Sequence, residues 1–400
     1  MYEKKSNEQD ISKFKLNKAF EQKKYNNNLY SNDIINSPQN NPIKSPEKKD
    51  PLFPKIKKTN TVNYSLNKKD IISPIKVKKK YIENLFSMSK MGTKSVNQDN
   101  YLILENIFEI KDFNILSIFD GHGQNGHFIS KLAKDIFIDY FSNHSDLYYI
   151  PRIKKGKNNL NIEKSSLNKY INNETVYNRI SFMNYKILKT IYKQIDQSIE
   201  NTEYDKDFSG TTSCSIFIIG KHLICSNVGD SRAILIRDSN KIFPLSIDHK
   251  PNRTIENERI KKNGGEIKKI INNQIDNITK KSVQLIPYRV YIKGEPYPGL
   301  AMSRSLGDFA AKRVGVINEP EIIDLNIEDN DKFIILASDG LWEVVSNEEA
   351  RNIVNKYYIE NNVKIAVEKL VILASEKFKV LGEYIDDITI IVIFLNKEKK

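Results

Sequence analysis

The sequence predicts an α+β fold in which one sheet packs on another and helices lie outside. Two observations predict it. From about residue 83, short apolar runs rich in β-branched and aromatic residues recur between Gly, Asp and Asn turns, as strands buried on at least one face do. Strand-like runs follow one another directly, while helical stretches fall in separate groups, which is an α+β pattern. No internal repeat is visible.

Residues 1–82 are rich in Lys, Asn and Ser, with Pro at 38, 42, 46, 51, 54 and 74 and no sustained period. Such a composition buries too little apolar area to offset the entropy of ordering, so disorder is expected. Ser37, Ser45 and Ser73 each precede Pro and are candidate phosphorylation sites. The ordered part, 83–397, opens with LFSMSKM (85–91) and NILSIFD (114–120). Helices are expected over 125–141 and 182–200; between them, 145–178 is polar and Asn/Lys-rich and reads as an inserted loop. The runs TTSCSIFIIG, HLICSNVG and RAILIR (211–237) are strands, followed by a helix over 254–263. Residues 266–298 form a long basic stretch of weak strand character. KFIILAS (332–338), helices over 347–358 and 363–379, and ITIIVIFL (388–395) complete the domain.

The net charge of +13 is unevenly placed. Residues 1–80 carry 19 Lys against 8 Asp and Glu, which is +11 of the total. The excess belongs to the N-terminal segment, where it suits nucleic acid, anionic lipid or an acidic protein partner alike; the sequence does not choose among them, and nucleic acid is not required. Cys214 and Cys225 lie in apolar runs and read as small buried hydrophobes, in a reducing compartment. No run of about 18 apolar residues exists to span a membrane, and Tyr2 excludes glycine myristoylation. A cytoplasmic or nuclear monomer is expected.

Three strand ends carry aspartate. NILSIF ends in Asp120-Gly121-His122-Gly123, KFIILAS ends in Asp339-Gly340, and ITIIVIFL begins after Asp386-Asp387. In an antiparallel sheet one strand's C-end lies beside its neighbour's N-end, so the three are expected on one sheet edge. Clustered carboxylates raise one another's pKa unless a cation neutralises them, and oxygen-only ligands point to a hard ion such as Mg²⁺ or Mn²⁺. Gly121 would let its backbone carbonyl come close enough to act as a ligand. Taken singly, each Asp-Gly reads more simply as a hairpin turn, and each Asp as a solvated strand end.

From about 83 to 395 the chain resembles the protein phosphatase 2C family of metal-dependent protein phosphatases. The matching blocks stand in family order: GTKSVNQDN (92–100), SIFDGHG (117–123), SGTTS (209–213), SNVGDSRAIL (226–235), DHKP (248–251), ERIKKNGG (258–265), GLAMSRSLGDF (299–309), LASDGLWEVV (336–345) and DDITIIV (386–392). The resemblance implies two antiparallel sheets packed as a sandwich with helices on both outer faces, and two Mg²⁺ or Mn²⁺ ions at one end. It implies that Asp120 bridges the ions, that the Gly121 carbonyl binds one, and that Asp339 and Asp386 complete the other. Asp99 would act through metal-bound water, joined by Gln98 where many members have Glu. Asp230 would help hold a third, weaker ion, with Glu343 in place of a usual aspartate beside it. His122 would be the general acid and Lys94 the substrate-phosphate contact, where many members use arginine.

The activity so implied is hydrolysis of phosphoserine and phosphothreonine in phosphoproteins by a metal-activated water. The rival is a pseudophosphatase, a binding module that keeps the fold without the chemistry; the persistence of Asp120, Asp339 and Asp386 disfavours it. An arm-centred nucleic-acid or membrane-surface protein is the third reading. Trp342, Ser303, Arg304 and Asp308 read as packing and scaffold. The basic residues of 266–298 (Lys268, Lys269, Lys280, Lys281, Arg289 and Lys293) either favour acidic substrates or form a solvated loop.

Overall fold

The computed structural model describes residues 81–107, 113–143, 173–269, 287–382 and 384–395. Within them run β1 (Ile82–Lys90), β2 (Asp99–Leu104), β3 (Phe113–His122), α1 (Gly126–Asn143), α2 (Asn173–Glu200), β4 (Gly210–Thr211), β5 (Ser213–Ile219), β6 (His222–Val228), β7 (Arg232–Arg237) and β8 (Ile242–Pro244). There follow α3 (Thr254–Lys262), β9 (Gly265–Lys268), β10 (Arg289–Ile292), β11 (Pro298–Leu300), β12 (Leu306–Gly307), α4 (Phe309–Lys312) and β13 (Glu321–Asn326). The last elements are β14 (Asp331–Ala337), α5 (Asp339–Trp342), α6 (Asn347–Ile359), α7 (Val363–Leu381) and β15 (Ile388–Leu395).

One antiparallel sheet has the order β1-β15-β14-β7-β8, and the other β12-β4-β3-β5-β6-β13 with β2 beside β3. A small third sheet is β11-β10-β9. The long apolar runs are continuous because their strands are covered on both faces. In β3, Phe113, Ile115 and Phe119 pack under α1 and α2 with Phe137, Ile191 and Tyr192. Leu116 and Ile118 point the other way, into a layer shared with Ile216, Leu235, Leu336, Ile391 and Ile393. In β15 the alternation repeats: Ile391 and Ile393 face the opposite sheet, and Ile390, Val392 and Phe394 face α6 and α7 through Val354, Ala366 and Leu370. Four layers result, helix–sheet–sheet–helix, as the sequence predicts. Each fully buried aliphatic side chain in the central layer contributes about 1.5–3 kcal/mol relative to exposure.

Differences from the sequence reading have local causes. Helix α2 begins at Asn173, so the last residues assigned to the 145–178 loop are helical. β2 and β13 carry no clear strand signal because DNYLIL and EIIDLN are half polar; among the described residues β13 is an edge strand paired with β6. The extension up to residue 80, most of the 145–178 insertion and the middle of the 266–298 stretch, with Ser37, Ser45, Ser73, Lys280 and Lys281, lie outside the described residues. Among the described residues no helix is long and apolar enough to cross a membrane.

Candidate active site

At one end of the sandwich β3, β6 and β14 finish while β2, β7 and β15 start. Asp99 stands opposite Asp120 in the β2–β3 register. On the other sheet Ala337, the last residue of β14, pairs with Ile390 of β15 and Arg232 of β7, bringing the Asp339 and Asp386 ends to the same place. The aspartates therefore meet across the two sheets, not on the edge of one. Asp230 is not a hairpin tip, since β6 and β7 belong to different sheets and Gly229 (φ 107°) to Ser231 carry the chain across. The hairpin reading fails for the Asp-Gly pairs too: Asp120-Gly121 lies inside β3, and Asp339-Gly340 opens α5.

Hydrogen bonds stitch these ends together. The Asp120 amide donates to Thr212 Oγ1 at 3.0 Å, and that hydroxyl lies 2.7 Å from Ser231 Oγ. Ser338 Oγ donates to Asp99 Oδ2 at 2.8 Å and accepts from the Thr389 amide. Asp387 accepts from the amides of Gly92 (2.8 Å) and Gln98 (3.0 Å), fixing the loop that carries Lys94. The Gly229 amide donates to buried His249 Nδ1 at 3.0 Å, holding the approach to Asp230. Gly121 is needed for crowding: a Cβ there would lie 2.4 Å from the Gly126 carbonyl oxygen and 2.5 Å from that of Gln98. The Gln98 side chain donates to the Gly123 carbonyl at 2.6 Å.

The electrostatics follow from this crowding. Burial, and then the charges of Asp339, Asp99, Asp386 and Asp230, push the Asp120 carboxyl well above the usual range. Burial, with Asp230, Glu343 and Asp386, does the same to Asp339. Asp99 is pushed up to about 7, chiefly by burial, although Thr389 and Ser338 bond to it. Glu343, exposed at the surface, also rises to about 7, first through loss of hydration beside its neighbours and then through Asp230 and Asp386, with Lys250 and Arg289 pulling the other way.

Two lysines answer this charge. Lys94 Nζ donates to Asp386 Oδ1 at 2.8 Å and lies 3.7 Å from Asp387 Oδ2. Lys250 Nζ donates to Asp230 Oδ2 at 2.6 Å. Burial works against both ammonium groups, yet the carboxylates hold their pKa values above the ordinary lysine range. His122 Nε2 lies 2.7 Å from Asp308 Oδ2, and Asp308 raises the imidazole's pKa against the lowering effect of burial.

Among the described residues no three His, Cys, Asp or Glu side chains already close on one point as a ready-made metal cage. The donor chemistry nevertheless fits hard divalent cations. The donors are all oxygen, the carboxylates destabilise one another, and Asp230 Oδ1 is buried without a hydrogen-bond partner. The structure thus gathers Asp99, Asp120, Gly121, Asp339, Asp386, Asp230, Gln98, Lys94 and His122 at one end. Sequence reasoning missed Lys250, Asp387 and Asp308. Their signals lay in the DHKP, DDITIIV and GLAMSRSLGDF blocks, but a lysine near a turn and an aspartate before a helix have commoner explanations.

A family model described as Protein phosphatase 2C matches residues 112–377. The chain is 33% identical over 318 residues to "Probable protein phosphatase 2C 65" of Arabidopsis thaliana, covering 78% of this chain and 76% of that protein. It is equally 33% identical over 320 residues to "Probable protein phosphatase 2C 73" of the same plant, covering 78% and 79%. Among solved structures it is similar in fold to the serine-threonine phosphatase 2C from Toxoplasma gondii, with a TM-score of 0.60 at 19% identity over 79% of this chain and 98% of that one.

Proposed function

The chain belongs to the protein phosphatase 2C family, and from that premise we propose a metal-dependent hydrolysis of phosphoserine and phosphothreonine by in-line attack of water. The chain is a protein phosphatase, so its substrates are phosphoproteins. What carries the mechanistic reading is the setting of Asp120, whose carboxylate has Asp339, Asp99, Asp386 and Asp230 as charged neighbours drawn from both sheets.

Asp120, the Gly121 carbonyl, Asp339 and Asp386 would hold two Mg²⁺ or Mn²⁺ ions, with Asp99 and Gln98 reaching them through water and Asp230 serving a third, weaker site. Such ions, when bound, lower the pKa of a water and offset charge on the phosphoryl oxygens. Lys94, held at the mouth by Asp386, offers its remaining N–H donors to the substrate phosphate as a point charge, without an arginine's planar fork. His122, partly open to solvent beside Asp308, gives a proton to the departing serine or threonine oxygen, which is a poor leaving group unless protonated.

The test is hydrolysis of a phosphothreonine peptide by the purified protein with and without Mn²⁺ or Mg²⁺. Turnover is expected to require the ion, to stop with chelator, and to fall on the order of 10²–10³-fold in Asp120→Ala or Asp339→Ala. Full turnover in the presence of chelator would refute the proposal.

A further inference from the structure

We propose that Asp308 is a positioning residue for the dephosphorylation reaction: by holding His122 Nε2, it fixes the imidazole in the orientation from which His122 protonates the leaving oxygen. This rests on the general-acid reading of His122 given above.

Four observations carry it. The contact is short, 2.7 Å from Asp308 Oδ2 to His122 Nε2. It is the ring's one anchor among the described residues, because His122 Nδ1 has no hydrogen-bond partner. Without it, rotation about the side-chain torsions would be checked by packing alone.

The second observation is what Asp308 does not do. It occupies the N-cap position of α4, where an aspartate side chain ordinarily accepts from the helix's first amides. Here its carboxylate makes no capping bond. The side chain turns to His122 instead.

Third, the backbone is set to deliver it. Asp308 is a non-glycine residue at φ 53°, following Gly307 at φ 86°, and such positive values at a side-chain-bearing residue cost energy and cluster where function needs them. The main chain is held independently of the carboxylate, its amide donating to the Ser209 carbonyl at 3.0 Å and its carbonyl accepting from Ala311 and Lys312. Fourth, Gly210 leaves the space: a Cβ there would stand 2.2 Å from Asp308 Oδ2. Asp308 is itself 2% exposed while the His122 side chain is 22% exposed, so the ring covers the carboxylate, and Nδ1, itself buried, is the nitrogen left for the leaving oxygen.

In the step concerned, water adds to phosphorus as the bond to the serine or threonine oxygen breaks. His122 passes the proton of Nδ1, the nitrogen not held by Asp308, to that oxygen and is left as neutral imidazole; the attacking water releases one proton, and the ring regains one from solvent. Asp308 exchanges nothing and keeps the ring in place throughout.

The experiment compares two substrates with the same divalent ion: a phosphothreonine peptide, whose leaving oxygen needs a proton, and p-nitrophenyl phosphate, whose leaving group does not. Asp308→Asn keeps the shape and tolerates the positive φ, and thermal unfolding confirms that it folds; Asp308→Ala is the second variant. Asp308→Asn is expected to lower kcat on the peptide by ~10–100-fold and on p-nitrophenyl phosphate by no more than about threefold, with a larger peptide loss in Asp308→Ala. Added to His122→Ala, Asp308→Asn should lower peptide turnover by less than about twofold, because residues acting as a unit are not additive. Equal losses on both substrates, or full additivity with His122→Ala, would mean that Asp308 is only structural. If His122→Ala itself spares neither substrate preferentially, the general-acid reading falls and takes this proposal with it.

Discussion

Lys94 shows how one side chain can be structural and functional at once. Its ammonium is the partner of Asp386, 2.8 Å away, and the neighbour of Asp387, whose two oxygens already hold the Gly92 and Gln98 amides. Lys94→Ala therefore removes charge from the mouth without cutting the backbone bonds that shape the loop. Steady-state kinetics on a phosphothreonine peptide should show KM raised by roughly tenfold with kcat changed by less than about threefold, the signature of lost ground-state binding. An unchanged KM would remove Lys94 from the phosphate site. At this scale the sequence was legible where a residue type is unusual for its place, as with aspartates ending apolar runs. It was silent on Lys250 and gave Asp308 only a scaffold role, since their partners lie 20 and 186 residues away.

Elements are tied together by buried ion pairs away from the acidic cluster. Glu256 on α3 is fully buried and accepts from Arg304 at 2.7 Å, from Ser303 Oγ at 2.7 Å and from Arg259, while Arg304 also reaches Glu321 on β13 at 3.1 Å. Burial alone would raise the Glu256 carboxyl, but Arg304, Arg259 and Ser303 outweigh it and hold its pKa far below the usual glutamate value. Glu321 is lowered to about 2, mainly by His249, whose Nε2 lies 3.4 Å from its carboxylate, and by Arg253. Both folded values lie below the unfolded value of about 4.3, so their stabilisation is present above that pH and is lost as the pH falls through the folded values. Thermal unfolding should therefore show stability dropping between about pH 4.5 and pH 2. Glu256→Gln should cost about 3–5 kcal/mol at neutral pH, because it strands Arg304, and should flatten that acid limb. A variant as stable as wild type, with the same acid limb, would contradict the assignment. Ser303 and Arg304 of GLAMSRSLGDF serve as scaffold: both hold Glu256 on α3, and Arg304 also reaches β13.

Across the whole molecule, every gathered site residue and the central core fall between Ile82 and Leu395. A chain beginning at residue 81 is thus expected to keep peptide turnover within about twofold of full length; its loss would assign the N-terminal segment a part in catalysis. The layering was legible because short apolar runs rich in β-branched residues and bounded by turns read as buried strands, and their continuity matches strands covered on both faces. Sheet membership was not, because HLICSNVG and RAILIR look like a hairpin until Gly229 carries the chain from one sheet to the other. That crossing has a mechanical meaning. Asp99 and Asp120 hang from one slab of the protein and Asp339 and Asp386 from its mate, so their mutual aversion acts as a wedge at the seam. Whatever positive charge settles there is a rivet as well as a reagent, and readiness for chemistry and cohesion of the two slabs rise together.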